Sequence, residues 1–389
     1  MAFSEQSLFR MLRDLVEDEL AHSGDRPDSA GWSTVTTLDG PEVRSDSLDL
    51  TTLATAVNER FRLHELRNED FLLRYRTLGD WVGLVREALL EGTAGMAFRT
   101  SGTTGPAKLI SHGWDALEAE LRALERVLPT PRRVIALVPA HNIYGFLLTV
   151  ALPERWGVPV VDGEAAWATV HADLQPGDLV VTIPERWRYL ASVRGQWPEA
   201  VAGVSSTAHL DTTVYRRLLD SGIEAITEIY GATETGGAGY RQAPGEAFTL
   251  LPHWQRDEQG RLVPTSGATG EPMVPMDQLR WTGQRQFRPE ERYDGAVSVG
   301  GTNVHPEAVG EALCEHPWVQ GAQVAAQPSD RGVRLRAHIS LANDAPDIQQ
   351  ARAVLRQWID ERFDPSRRPR ALTFDQEAGD TGIPVSRRP

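Results

Sequence analysis

The stretch at residues 100–108, which reads TSGTTGPAK, restricts what this chain can be more than any other stretch does. Lys108 is the one lysine among 40 lysine and arginine residues. An ammonium group is a compact point charge that fits a tight turn of phosphate oxygens, whereas a guanidinium is a planar fork. Glycines let backbone N–H groups approach an anion closely, and hydroxyl side chains add donors. The residues predicted to bind nucleotide phosphates here are Ser101, Gly102, Thr103, Thr104, Gly105 and Lys108.

This loop differs from the Walker loop, in which a Gly-Lys-Ser/Thr sequence opens a helix. Pro106 and Ala107 separate Gly105 from Lys108. The apolar residues on either side of the loop are typical of short strands. The sequence therefore predicts a phosphate loop that joins two strands.

Composition limits the partners of the chain. Its 389 residues are enough for two or three domains, and its net charge of −14 argues against nucleic acid or an anionic membrane. The amphipathic, acidic N-terminus and the lack of a long apolar run predict a cytoplasmic protein without a membrane span. A single cysteine, Cys314, excludes an internal disulfide and is expected to be a small buried side chain. The oligomeric state is not predicted.

Apolar periodicity predicts an α/β fold with a small α+β domain at its C-terminal end. The first 95 residues are predicted to be helical, with a polar loop at 23–49, and no chemistry is assigned to them. Further helices are predicted at 114–127, 146–151, 306–314 and 351–363. Strands are predicted at 134–138, 158–161, 179–183, 201–204, 319–326 and 333–339.

The strand at 134–138 leads into the sequence HNIYG, which begins at His141. Ligands of open α/β sheets gather at the carboxyl ends of strands, so His141 and Tyr144 are candidates to line a ligand pocket. His141 as a satisfied structural histidine is the alternative. A second small-residue turn begins at Ser205, and Ser206 there is either a ligand contact or part of a plain strand-to-helix turn with a serine cap.

A second motif, YGATETGG at residues 230–237, follows another predicted strand. Adenine needs a flat apolar face, a phosphate needs a small donor, and Mg²⁺ needs an oxygen ligand. Tyr230, Thr233 and Glu234 supply one of each.

Together the two motifs resemble those of the adenylate-forming superfamily, which contains acyl- and aryl-CoA ligases, adenylation domains and luciferases. The resemblance covers residue 96 to the end and implies ATP and Mg²⁺ as partners, with CoA as a possible acceptor. It implies that Tyr230 and Gly231 contact the adenine and that Glu234 binds magnesium. It also implies a catalytic set, which is Lys108, Thr233, Glu234 and Arg292.

The resemblance further implies a ribose-binding aspartate, an arginine and a hinge aspartate. Trp281-Thr282-Gly283-Gln284 is superficially similar to the family's Thr-Gly-Asp and would mean that the ribose aspartate is lost. Asp277 stands 15 residues before Arg292, which is the family's usual separation, so Asp277 is the predicted ribose ligand. Asp294 is then the hinge between a large domain at 1–293 and a mobile lid at 294–389.

The lid of the superfamily normally ends in a lysine that bridges the substrate and the α-phosphate. This chain has no such lysine, because Lys108 is alone. Arg387 or Arg388 is one replacement, although the two cations are not interchangeable at a tight site. Two further possibilities are that the reaction is slow and that the activated nucleophile is not an ordinary carboxylate.

The HNIYG sequence resembles the acceptor pocket of hydroxycinnamate and aryl-CoA ligases, and the short chain most resembles small 4-coumarate–CoA ligases. A hydroxycinnamate-like acid is therefore the predicted substrate. Two alternatives stay open: an ATP-dependent diazotase that couples nitrite to an arylamine such as an aminocoumarate in natural-product biosynthesis, and a catalytically weakened AMP-binding protein. The predicted substrate-binding residues are His141, Asn142, Tyr144, Gly145, Ser206, Gly236 and Gly237.

Overall fold

The structure is a computed structural model that describes residues 3–22, 27–66, 69–100, 108–265, 272–329 and 332–375. The described residues divide into two compact units. The larger takes the chain up to Thr100, then Lys108–Pro275 and Trp281–Arg288. The smaller takes Met276–Arg280 and the residues from Pro289 onward. The predicted α/β class with a smaller α+β part is confirmed, and the boundary at Asp294 stays a prediction.

Helices begin the larger unit. They are α1 (Glu5–His22), α2 (Ser47–Phe61), α3 (Glu69–Leu72) and α4 (Leu78–Glu91), with short 3₁₀ turns at Ser29–Gly31 and Leu63–Leu66. Reciprocal capping boxes fix where two of them start: Asp46 caps α2, and Thr77 caps α4. The apolar faces of α1 and α4 are buried, as at Leu12 and Trp81. The polar stretch before α2 has little regular structure, as predicted.

A two-stranded hairpin and an alternation of strands and helices follow. The strands are β1 (Gly95–Arg99), β2 (Leu109–Gly113), β3 (Arg133–Ala136), β4 (Val160–Val161), β5 (Asp178–Thr182), β6 (Ala202–Ser205) and β7 (Ala225–Ala232). The helices are α5 (Trp114–Glu125), α6 (Ile143–Phe146), α7 (Leu152–Trp156), α8 (Gly163–Ala168), α9 (Pro184–Val193) and α10 (Thr212–Asp220), with π-helical turns at Leu147–Ala151 and Thr169–Asp173. Each predicted strand in this region is present within a few residues of its expected limits.

The main sheet is parallel in one half and antiparallel in the other. Strands β4, β3, β5, β6 and β7 lie side by side and run parallel. Antiparallel strands β8 (Gly236–Arg241) and β9 (Phe248–Leu250) extend the sheet from β7. A small hairpin of β10 (Trp254–Arg256) and β11 (Leu262–Pro264) follows. Strands β5 and β6 are buried along their whole length, because helices cover the parallel half. Gly203 makes room for the buried Trp187, whose ring would collide with a Cβ there.

The boundary between the units falls within two strands, β12 (Asp277–Trp281) and β13 (Gln286–Arg292), each of which has residues in both units. The smaller unit then contains the β14 (Val297–Val299) and β15 (Thr302–Val304) hairpin, α11 (Pro306–Leu313), β16 (Val319–Ser329), β17 (Gly332–Leu341), α12 (Ile348–Arg362) and β18 (Pro369–Phe374). Strand β17 lies between β16, which is antiparallel to it, and β18, which is parallel. The predicted helices and strands of this unit are confirmed, and β18 was not predicted. Cys314 is half-buried at the end of α11.

Candidate active site

The strands on either side of the phosphate loop form the predicted antiparallel hairpin, in which Arg99 pairs with Leu109. At the loop end of the hairpin, the amide of Thr100 donates to the carbonyl of Lys108 at 2.9 Å. The amide of Lys108 donates back to the Thr100 hydroxyl at 3.0 Å. Residues 101–107 lie outside the described part of the chain, so the predicted phosphate contacts of Ser101, Gly102, Thr103, Thr104 and Gly105 stay predictions. The Lys108 side chain is exposed, and its predicted phosphate contact also stays a prediction.

The second motif forms the tight turn between β7 and β8. Gly231 pairs with Gly237 there, and a Cβ on Gly231 would lie 2.0 Å from the carbonyl oxygen of Gly236. Gly236 has φ +62°, a conformation that favours glycine. Two glycines of the motif are therefore required by the backbone of the turn. Thr233 and Glu234 stand at its tip, partly exposed.

One contact brings the two motifs together. His112 on β2 lies with its Nε2 2.7 Å from the carbonyl oxygen of Thr233. Because a carbonyl only accepts, the ring nitrogen carries the hydrogen in this bond. Burial lowers the pKa of His112, although the bond to Thr233 and the charge of Glu234 oppose this shift. The structure thus places the Thr233–Glu234 turn against the strand that leaves the phosphate loop.

The ring of Tyr230 belongs to an aromatic cluster on the antiparallel half of the sheet. Its centroid lies 5.7 Å from that of Phe248 and 5.2 Å from that of Phe287 at the start of β13. These contacts hold the half-buried Tyr230 ring in place, and a fixed aromatic ring suits the predicted packing against adenine.

Most of the HNIYG sequence shapes a turn. The Asn142 side chain accepts the amide hydrogen of Gly145 at 2.7 Å and caps α6. A Cβ on Gly145 would lie 1.8 Å from the carbonyl oxygen of Pro139. Tyr144 is buried, and its hydroxyl donates to the carbonyl of Thr182 at 2.9 Å, while burial raises its pKa well above the ordinary value. Asn142, Tyr144 and Gly145 therefore stabilise the turn and its packing, and their predicted contacts with a substrate stay predictions.

His141 is held by the N-terminal helix. Its Nε2 lies 3.5 Å from Oδ2 of Asp18 on α1, and its Nδ1 is buried without a hydrogen-bond partner among the described residues. One turn earlier, the Asp14 carboxylate accepts the amide hydrogen of Ala140 at 2.6 Å. The Arg13 guanidinium lies 2.6 Å from the carboxylates of both Asp14 and Asp162, and these contacts fix the Asp14 carboxylate in place. Helix α1 therefore anchors the turn that carries His141, a role that was not predicted.

Ser206 at the end of β6 donates its hydroxyl to the carbonyl of Ile229 at 2.8 Å. It does not cap the next helix, because Asp211 caps α10. The plain-turn alternative with a serine cap is thus wrong in its detail, and a ligand contact stays a prediction.

In the smaller unit, Asp277, Arg292 and Asp294 form one cluster. The Arg292 guanidinium makes two bonds to Asp294, at 2.8 and 2.7 Å, and its Nη1 lies 3.9 Å from Oδ1 of Asp277. His305 contacts the same turn, since its Nδ1 lies 3.1 Å from the Asp294 carbonyl oxygen. Asp277 and Arg292, which were paired by their separation in the sequence, thus lie together in the structure. The terminal Arg387 and Arg388 lie outside the described residues.

The described residues contain no group of three or more His, Cys, Asp or Glu side chains placed to hold a metal ion. Magnesium that enters with a nucleotide needs only one or two carboxylates besides phosphate oxygens and water. Glu234, partly exposed at the tip of its turn, fits that requirement. No helix in the described ranges has the length and apolar character needed to cross a membrane.

The structure has the arrangement predicted for an AMP-forming ligase: an α/β unit in which a hairpin contacts an acidic turn, and a small α+β unit after it in the chain. The chain belongs to the adenylate-forming superfamily, and it is an ATP-dependent, AMP-forming ligase. No protein-family model matches it. It is 39% identical over 377 residues to a 4-coumarate–CoA ligase of Halorhodospira halophila, with 95% of each chain covered. It is 37% identical over 340 residues to a 4-coumarate–CoA ligase of Rhodobacter capsulatus, with 85% of each covered.

The fold is similar to that of an amide bond synthetase from Marinactinospora thermotolerans. The two structures superpose with a TM-score of 0.60 at 15% sequence identity, over 96% of this chain and 92% of the other. At that identity the likeness concerns the fold alone.

Proposed function

We propose that this protein activates a small aromatic acid, of the hydroxycinnamate kind, as an acyl-adenylate and then transfers the acyl group to CoA. The contact of His112 with Thr233 carries the proposal, because it joins the phosphate hairpin to the turn that bears Thr233 and Glu234. The relatives named as 4-coumarate–CoA ligases support the choice of acid and acceptor.

In the first step, a carboxylate oxygen of the acid attacks the α-phosphorus of ATP. The oxygen that bridges the α- and β-phosphorus atoms leaves with pyrophosphate. Lys108 and Thr233 stabilise the negative charge, while Asp277 and Tyr230 hold the ribose and the adenine, so catalysis rests on positioning and electrostatics. Magnesium, held by Glu234, would neutralise phosphate charge when bound. In the second step the thiolate of CoA attacks the carbonyl carbon and AMP leaves.

A second candidate is a diazotase that activates nitrite and couples it to an arylamine. One observation favours it: Lys108 is the single lysine, so the lid lacks the lysine that bridges an ordinary carboxylate and the α-phosphate. Nitrite is small and is not an ordinary carboxylate, so it fits one of the possibilities that the missing lysine leaves open. The arylamine would then occupy the pocket beside His141.

Two parallel incubations separate these functions. One contains ATP, 4-coumarate and CoA, and the other contains ATP, 3-aminocoumarate and nitrite. The proposal expects a CoA thioester and AMP in the first alone. AMP formed only with nitrite would replace the ligase by the diazotase. Nucleotide binding without AMP in either mixture would indicate a weakened AMP-binding protein.

A further inference from the structure

The turn between β7 and β8 is held at both ends by ionisable side chains from the segment that follows the phosphate loop. His112 on β2 binds the carbonyl of Thr233 at one end. Glu120 on α5 accepts the amide hydrogen of Gly237 at the other end through its Oε1. The two side chains reach across more than a hundred residues of sequence to the same turn.

Glu120 lies directly under the turn. Its side chain is 3% exposed, and a Cβ on Gly236 would lie 2.2 Å from its Oε2. The carbonyl of Gly237 is also bound, by the indole N–H of Trp254 at 3.0 Å. Both backbone polar groups of Gly237 are therefore hydrogen-bonded, and the Glu120 carboxyl packs against the turn from the side of α5.

Among the described residues, no cationic side chain pairs with Glu120, and the amide of Gly237 donates the hydrogen bond that its carboxyl receives. The backbone of Gly236 and Gly237 lies against its carboxyl, and neither residue titrates. Burial raises the pKa of Glu120 to about 8, and the hydrogen bond from Gly237 opposes that shift. His112 faces Thr233 and Glu234, and burial lowers its pKa. Burial therefore favours the uncharged form of both side chains.

We propose that Glu120 and His112 are positioning residues for adenylation, and that Glu120 holds the Thr233–Gly237 turn as a neutral carboxylic acid. The inference rests on the proposed role of Thr233 and Glu234 in binding ATP and magnesium. Ionised Glu120 would be an unpaired buried charge, which draws water or a backbone shift to itself. Either change moves Thr233 and Glu234, and misplacement by about 1 Å costs on the order of 100-fold in rate.

Two variants test the role of Glu120. Glu120→Gln keeps an oxygen that accepts the Gly237 hydrogen and cannot ionise. We expect the wild type to lose kcat/KM for ATP above about pH 8. We expect Glu120→Gln to form AMP at pH 7 within about threefold of the wild type and to lack that alkaline fall. Glu120→Leu lacks the acceptor, and we expect kcat to fall on the order of 100-fold. Glu118→Gln on the same helix, whose carboxylate pairs with Arg122 and Arg155, is the control and keeps the wild-type pH profile.

An alkaline decline that Glu120→Gln retains would overturn the proposal, and so would wild-type activity in Glu120→Leu. A separate readout does not depend on turnover. Carbon-13 NMR of glutamate-labelled protein, assigned with Glu120→Gln, is expected to show one carboxyl that titrates near pH 8. If that carboxyl is present while no acid yields AMP, the proposed function fails and the buried neutral carboxyl stands. If every glutamate titrates below pH 6, the proposal that Glu120 acts as a neutral acid fails whatever the activity.

Discussion

Arg292 and Asp294 form a two-point ion pair, with Nε 2.8 Å from Oδ1 and Nη2 2.7 Å from Oδ2. The hydrogen bond from Arg292 favours the carboxylate, and the pKa of Asp294 falls to about 2. The same carboxylate accepts the amide hydrogen of Ala296 at 3.0 Å. Gly295 between them has φ +68°. One side chain thus ties together the residues on both sides of a turn that only glycine enters easily.

Replacing Asp294 is expected to separate the two proposed half-reactions. Asp294→Ala removes the two bonds from Arg292 and the one from Ala296, so the conformation needed for transfer to CoA is populated less. We expect pyrophosphate release in a single turnover to change by less than about threefold and thioester formation to slow by about tenfold. Asp360→Ala, at an exposed carboxylate of α12, serves as the control. Equal slowing of both steps would assign Asp294 to the adenylation site instead of a hinge.

The lone lysine allows a clean test of the phosphate loop. Lys108→Ala is expected to lower AMP formation by about 100-fold or more, because one preorganised charge at a transferring phosphate is typically worth that much. The protein should stay folded, since the side chain is exposed. Lys108→Arg is expected to stay well below the wild type, because a planar fork replaces a point charge.

Arg122→Ala, which also removes one exposed cation, is the matched control for these variants. The melting temperature, followed by circular dichroism, separates loss of function from loss of fold. Full turnover in Lys108→Ala with an unchanged melting temperature would remove this loop from the nucleotide site.

Short motifs were predictable because their chemistry is local. The hairpin around the phosphate loop follows from apolar residues on either side of a glycine-rich stretch, and β1 and β2 confirm it. The group of Asp277 and Arg292 followed from spacing, and the structure brings their side chains within 3.9 Å. In both cases the residues that matter lie close together in the sequence or at a separation that the resemblance supplied.

Contacts between distant segments were not predictable. In the sequence, Asp14 and Asp18 are ordinary acidic residues of an amphipathic helix. Only the fold brings the turn after β3, with Ala140 and His141, into contact with them. Glu120 carried a weak signal, because it stands on the same helical face as Leu117 and Leu124, where a carboxylate is out of place. That signal marked a buried acid, and only the fold identifies Gly237 as its partner.

Helix α1 is expected to influence the acid pocket through Asp14. Asp14→Ala leaves the buried amide of Ala140 without an acceptor and deprives Arg13 of one partner, so we expect a loss of about 1–3 kcal/mol in unfolding free energy. The turn that carries His141 should loosen, which raises KM for the acid about tenfold and leaves KM for ATP within about twofold. Glu17→Ala on the same helix is the control, and it removes a bond that the Ser29 hydroxyl donates from outside the helix. Equal rises in both KM values would show a general disturbance of the larger unit.

The neutral state of Glu120 also predicts how stability depends on pH. Folding raises its pKa from an ordinary 4.5 to about 8, so the folded protein binds this proton more tightly than the unfolded chain does. The corresponding stabilisation is complete below about pH 4.5 and is lost as the pH rises toward 8, with a slope of up to about 1.4 kcal/mol per pH unit.

Urea unfolding at about pH 5, 6.5 and 8 measures this dependence, and the difference between the wild type and Glu120→Gln cancels the contributions of other groups. We expect Glu120→Gln to gain stability relative to the wild type at each step. Glu118→Gln is the matched control: burial opposes the shift, but hydrogen bonds from Arg155 and Arg122 lower the pKa of Glu118, so its contribution is constant above about pH 5. A constant difference between Glu120→Gln and the wild type across this range would mean that Glu120 is ionised in the folded protein. The turn that carries Thr233 and Glu234 would then rest on a carboxylate, and the alkaline limit to activity would need another origin.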